Sequence, residues 1–238
     1  FWSGIVSGDF DGDGDQDYIL GNLGANHRFT ANDKYPMKLY AVDIDKNGFV
    51  DPLTTAFWKN DVGEMKEYPV NYLDELAAQS PFFRKMFTSY TKFSTTTMDE
   101  ILKRDTIAAD RKFYVNSTKS YVLWNNKGGF KWEELPNALQ ISPIRKMLVR
   151  DFNDDRIPDV LVTGNDNTYD VSTGYYDANK GMILLGKAGS SFDILQPAKS
   201  GLLLQGQVES LVYFEGDTSY LVSGINRQKA VVFQHIKN

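Results

Sequence analysis

Three acidic loops of matched spacing, each set between two strand-forming runs, mark this 238-residue sequence, and a fourth strand pair repeats the flanks without the acids. Gly-turned hairpins follow the loops. Together these features predict an all-β chain of about four blades, each a four-stranded antiparallel sheet, forming a β-propeller or part of one. We read 1–238 as one segment of that kind, with a helical insertion over about 68–111.

The elements follow in order. Ile5-Val6 leads into the first loop, Asp9 to Asp17, and an apolar run follows from Tyr18. Lys38 to Val42 leads into the second, Asp43 to Asp51, and Lys146 to Val149 into the third, Asp151 to Asp159. β-branched, aromatic and aliphatic residues fill these flanks, as strands prefer. The stretches 120–132 and 182–195 each place Gly between two apolar runs and read as hairpins. In the fourth copy, Glu209 to Phe214 and Tyr220 to Asn226 keep the strand pattern, but the loop between them offers only Glu215 and Asp217. From Tyr68 to Arg111 the pattern turns helical and is assigned to the second blade. Asn71 is placed to cap a helix over 72–79, Ser80-Pro81 opens another, and Thr97 precedes a third with acids early and bases late. The aromatics of this stretch, Phe82, Phe83, Phe87, Tyr90 and Phe93, are expected to be packing residues.

Composition narrows the chemistry. Cys is 0 and His is 2, which removes disulfides, thiolate zinc sites and most histidine chemistry. No apolar run approaches the roughly 18–20 residues of a membrane helix, so no membrane span is expected in this segment. The chain opens on Phe1-Trp2-Ser3, and we expect it to be a piece of a longer protein. The three loops hold twelve of the 31 acidic residues and two of the 26 basic ones, so the net charge of −5 is a local feature. No basic helix or ribbon suggests a nucleic-acid partner.

Carboxylates at positions 1, 3, 5 and 9 of a tight loop repel one another unless a cation lies among them. Calcium takes six to eight oxygens at about 2.3–2.6 Å, whereas magnesium prefers compact, water-rich octahedra. The first loop then offers Asp9, Asp11, Asp13, the Asp15 carbonyl and Asp17. The second offers Asp43, Asp45, Asn47, the Phe49 carbonyl and Asp51, and the third Asp151, Asn153, Asp155, the Ile157 carbonyl and Asp159. Gly14 and Gly48 permit the bend at position 6, where the third loop has Arg156, making it the weakest of the three. An EF-hand is excluded: it needs an acid at position 12, where these loops have Leu20, Thr54 and Val162, and it needs flanking helices. Solvated acidic turns would explain one such loop more easily than three in matched flanks.

This pattern of acidic loop and apolar strand resembles the FG-GAP/VCBS repeat of integrin-α-type calcium-loop propellers. With Gly21-Asn22, Leu135-Pro136, Gly164-Asn165 and the 175–181 stretch, the whole chain is similar to the C-terminal region of large VCBS repeat, ASPIC/UnbV-type surface proteins of Bacteroidetes-type bacteria. The resemblance implies calcium as cofactor, a place outside the cell, at the bacterial surface or associated with the outer membrane, and a larger parent propeller. It implies no defined activity. Arg156 and the acid-poor fourth copy depart from the pattern.

If each acidic loop joins the first two strands of a sheet, the loop after the second strand lies at the opposite end. There lie His27, Arg28, Trp58, Asn165, Tyr169, Tyr175 and Tyr176, whose rings and amides suit sugar or peptide, although Asn and Gly also simply make turns. Three functions stay open: a non-catalytic module binding glycan or protein, a polysaccharide lyase or hydrolase, and a structural scaffold segment. His27, Arg28, Tyr175 and Tyr176 are the candidates for lyase chemistry; a deep pocket with convergent polar groups around His27 or a paired carboxylate would favour it, and a featureless opposite end would favour the scaffold.

Overall fold

Each acidic loop turns one strand back on the next. The computed structural model describes residues 1–104, 111–168 and 174–236. Its strands in chain order are β1 (Gly4–Gly8), β2 (Asp17–Gly21), β3 (Met37–Val42), β4 (Asp51–Lys59), β5 (Met65–Pro69), β6 (Arg111–Val115), β7 (Tyr121–Asn125) and β8 (Phe130–Glu134). There follow β9 (Ile144–Arg150), β10 (Asp159–Gly164), β11 (Met182–Lys187), β12 (Ser191–Leu195), β13 (Val208–Phe214), β14 (Ser219–Ile225) and β15 (Val231–His235). Four short helices, α1 (Leu73–Gln79), α2 (Pro81–Met86), α3 (Tyr90–Thr95) and α4 (Met98–Arg104), lie between β5 and β6, and α5 (Pro197–Ser200) follows β12. The chain is thus mostly β, in four antiparallel sheets.

Two units divide it: Phe1–His27 with Thr118–Asn238, and Arg28–Ser117. In the first, the sheets run β1-β2-β7-β8, β9-β10-β11-β12 and β13-β14-β15. The middle sheet is covered on both faces. Val160, Val162 and Leu184 pack with Ile19, Val122 and Trp124 of the first sheet. Leu161 and Ile183 pack with Leu211, Leu221 and Phe233 of the third. Two-sided cover explains why β10 is buried at every position, while β2 buries alternate residues. The opening strand β9 touches both β1 and β13.

Gly21 and Gly164, each ending the second strand of a sheet, lie where backbones meet. A Cβ on Gly164 would stand 1.6 Å from the Pro143 carbonyl oxygen, and one on Gly21 2.5 Å from that of Ile144. The asparagines that follow are buried. The Asn165 amide donates to the carbonyls of Asn179 and Gly206 and accepts from Ser142 Oγ.

The Arg28–Ser117 unit departs from expectation. The 121–134 hairpin completes the sheet of β1 and β2, so this unit lies, in chain order, inside the first sheet. Its own sheet runs β5-β4-β3-β6, with β6 returning to pair with β3 after the helices. The helices lie within the expected 68–111 insertion, although Tyr68 and Pro69 still belong to β5, Arg111 begins β6, and 105–110 fall outside the described residues.

Tyr72, rather than Asn71, is the N-cap of α1. Glu75 reaches back to accept both the Tyr72 N–H and the Asn71 amide, so Asn71 is drawn off the cap. Ser80 caps α2 with Pro81 in its first turn, as expected. Thr97 and Glu100 exchange reciprocal bonds at the start of α4. Phe83 and Phe87 join the core beneath the helices, with Phe82 and Phe93 packed against it. Tyr90 is 62% exposed, against its expected role in packing, because its short helix turns it away from that core. The third sheet of the first unit has three strands among the described residues.

Candidate metal loops and an aromatic cleft

All three acidic loops fold by one hydrogen-bond scheme. The position-1 carboxylate accepts the N–H of positions 5 and 6: Asp9 from Asp13 and Gly14, Asp43 from Asn47 and Gly48, Asp151 from Asp155 and Arg156. Position 5 accepts from position 7, as Asp13 does from Asp15, Asn47 from Phe49 and Asp155 from Ile157. The buried position-9 Asp accepts the N–H of position 2: Asp17 from Phe10, Asp51 from Ile44 and Asp159 from Phe152. The other oxygens of Asp17 and Asp159 accept from Asn125 and Gly186, which ties each loop to the next strand of its sheet. Burial pushes the Asp17 carboxyl upward and that of Asp159 to about 6, against the opposing pull of these backbone donors.

Positions 4 and 6 are left-handed in every loop: Gly12 and Gly14 (φ 76° and 93°), Lys46 and Gly48 (59° and 90°), Asp154 and Arg156 (60° and 75°). Glycine at position 6 was legible in the sequence, whereas the same requirement at position 4 was not, because Lys46 and Asp154 hide it.

Carboxylate oxygens of Asp9, Asp11 and Asp17 lie within 4.8 Å of one another, as do those of Asp43, Asp45 and Asp51, and each trio could hold a metal ion. Serines from elsewhere in each unit steady position 3: Ser190 Oγ donates to Asp11 at 2.7 Å, and Ser80 Oγ to Asp45 at 2.8 Å. Asp45 Oδ1 and Asp15 Oδ2 are buried and accept no hydrogen bond, so the loops retain acceptor capacity that the protein itself leaves unfilled. The donor set is oxygen throughout, which fits a hard cation. In the third loop, position 3 is the amide of Asn153, which donates to Asp155, so that position offers no carboxylate. Of the expected ligands, Asp13, Asn47 and Asp155 carry the turn, and the carbonyls of Asp15, Phe49 and Ile157 follow at position 7. Glu215 of the fourth copy receives both guanidinium nitrogens of Arg150, at 2.6 and 3.1 Å.

The residues expected at the opposite end separate. Arg28 and Trp58 line a cleft of about 800 Å³ in the Arg28–Ser117 unit. Trp58 Nε1 donates to the Arg28 carbonyl, and the Arg28 guanidinium lies over Tyr72, donating to its hydroxyl. His27 is tied to the Gly24 carbonyl and the Thr118 hydroxyl, and lines neither this cleft nor a second, about 550 Å³, around Phe152, Tyr213 and His235. Asn165 holds backbone in place, as described. Tyr176 pairs its backbone with Asp166, Tyr175 is 69% exposed, and Tyr169 lies outside the described residues. The sequence missed Tyr72 and Tyr90 as cleft residues. Neither follows a second strand of a sheet, where the search was made.

No protein-family model matches this chain, and neither the curated proteins nor the solved structures give a match. No helix among the described residues is long and apolar enough to cross a membrane.

Proposed function

We propose that this chain is a calcium-binding, non-catalytic segment of a surface or extracellular β-propeller of the FG-GAP/VCBS kind, and that it binds a ligand. The observation that carries the cation is the buried, unpartnered Asp45 Oδ1 within a carboxylate trio. Asp9, Asp11, Asp13, Asp17 and the Asp15 carbonyl would hold one ion; Asp43, Asp45, Asn47, Asp51 and the Phe49 carbonyl a second. Asp151, Asn153, Asp155, Asp159 and the Ile157 carbonyl form a third, weaker set. The ion supplies positive charge that offsets the carboxylates and braces the loop. Three face-to-face sheets whose first strands touch support a blade arrangement. The aromatic cleft supports binding, and His27, engaged with Gly24 and Thr118, lies outside both clefts, which does not favour the lyase reading.

Calcium binding to the folded state alone adds RT ln(1 + [L]/Kd), about 2.7 kcal/mol at a hundredfold excess over Kd. Calcium therefore raises the melting temperature and a chelator lowers it. An unchanged melting curve in both refutes the cation assignment.

A further inference from the structure

We propose that the cleft of the Arg28–Ser117 unit binds a neutral oligosaccharide, stacked on Trp58, Tyr72 and Tyr90; this rests on the ligand-binding reading above and places it. At about 800 Å³ the cleft is in the size range of ligand sites, roughly 300–1,000 Å³. It lies among the β4–β5 turn, the start of α1 and α3, and all of its lining belongs to one unit.

The rings at the cleft are held by their edges. Tyr90 donates its hydroxyl to Asp74 at 2.8 Å, and the Tyr72 hydroxyl receives Arg28 at 3.2 Å. Arg28 lies over one face of Tyr72, yet Tyr90 remains 62% and Tyr72 41% exposed, which leaves ring surface open. Trp58 is fixed by its indole N–H on the Arg28 carbonyl and by the Phe29 ring, 6.3 Å away. Flat apolar surfaces already held in place bind with little further loss of conformational freedom. The apolar face of a pyranose offers a flat partner to such rings, while its hydroxyls stay at polar edges.

Charge selects the class. Arg28 is engaged by the Tyr72 hydroxyl and the Val70 carbonyl, Lys66 is paired with Glu64 at 3.1 Å, and Glu100 accepts from Thr97. Lys59 and Asp61, of opposite sign, line the cleft as well, so its charges are mixed and largely balanced, and an ionic ligand of either sign would meet like charge and disturb these pairings. A neutral one need not.

The test is calorimetry of the calcium-loaded chain with neutral hexaoses (cello-, xylo-, manno- and chito-), with oligogalacturonate, and with a random peptide pool. We expect one or more neutral hexaoses to bind. Trp58→Ala and Tyr90→Ala should each weaken that binding roughly tenfold. Trp58→Phe should restore most of it, and Phe113→Ala, which removes a ring 58% exposed on β6 outside the cleft, should leave it unchanged. Tyr90 is exposed enough that its removal leaves the fold intact, which circular dichroism checks. Binding that survives both alanine variants overturns the site. No binding of any neutral hexaose, or preference for oligogalacturonate or peptide, overturns the ligand class. Melting with calcium and with chelator on the same samples reports the cation reading separately, so the two failures are distinguishable.

Discussion

Arg156 occupies a left-handed position that Gly14 and Gly48 hold in the sister loops, and replacing it with glycine isolates what the turn demands. For a residue with a Cβ, this conformation costs about 1–2 kcal/mol. Glycine's extra freedom in the unfolded chain returns about 0.5–1 kcal/mol of that. Arg156 is exposed, so Arg156→Gly removes little packing. The net expectation is a gain of about 0.5–1 kcal/mol, or a rise of about 2–4 °C for each kcal/mol. The reverse substitutions check the sign. A Cβ on Gly14 or Gly48 meets nothing within 4 Å, so Gly14→Ala and Gly48→Ala report conformation alone and should each lose about 1 kcal/mol. Arg156→Ala separates charge from backbone: it keeps the strain and removes a cation beside the proposed ion. It should raise calcium affinity at the third loop without the stability gain in chelator. The assays are thermal and urea melts in chelator and calcium titration by calorimetry. Equal gains in chelator from Arg156→Gly and Arg156→Ala would refute the backbone argument.

Asp13→Ala should reduce the calcium-induced rise in melting temperature far more than Asp154→Ala, because position 5 belongs to the proposed ligand set and position 4 does not; equal losses would contradict the ligand assignment. Gly164→Ala should cost about 3 kcal/mol or more, since its Cβ would meet the Pro143 backbone, whereas Gly129→Ala, with open space around it, should stay within about 0.5 kcal/mol in a urea melt. Glu67 accepts from Lys38, Tyr40 and Thr55, so Glu67→Ala should cost about 2–3 kcal/mol in the same assay. Burial first, and then Glu67, hold the Tyr40 hydroxyl well above its ordinary 10.0. The unfolded chain then releases a proton that the folded chain keeps, so stability is full below about pH 10 and falls above it. Tyr40→Phe should flatten that alkaline fall; an unaltered slope would count against it.

The strands and loops were legible because period-2 apolar runs and loop acids are local signals. Ile5-Val6, Lys38 to Val42 and Lys146 to Val149 all lie in the strands expected of them. Sheet membership was not legible. Nothing local in Tyr121 to Trp124 says that this strand pairs with β2 rather than with β4, since pairing across the whole of Arg28–Ser117 is decided by packing. The Gly-Asn pairs were visible as an echo, but their meaning was not: Asn165 reads as an exposed polar residue until its amide is seen bonded to two distant carbonyls. Tyr90 failed in the other direction. A large aromatic in a helical stretch predicts burial, and only the turn of α3 exposes it.

Arg150, just before the third loop, lies 4.1 Å from the centre of the Tyr213 ring and grips Glu215 with two nitrogens. Where the fourth repeat has lost its acids, one that remains is met by a positive charge tethered to the chain. Such a charge cannot dissociate, be chelated, or fall with the concentration of the proposed ion. Under calcium starvation this corner should therefore hold its shape while the acidic loops slacken, and hydrogen exchange there should respond to added salt rather than to chelator. The chain thus runs from two loops with carboxylates at positions 1, 3 and 9, through one with an amide at position 3, to a strand pair held by a guanidinium. If the proposed ion binds, the effect of a chelator on local hydrogen exchange should fall in that order.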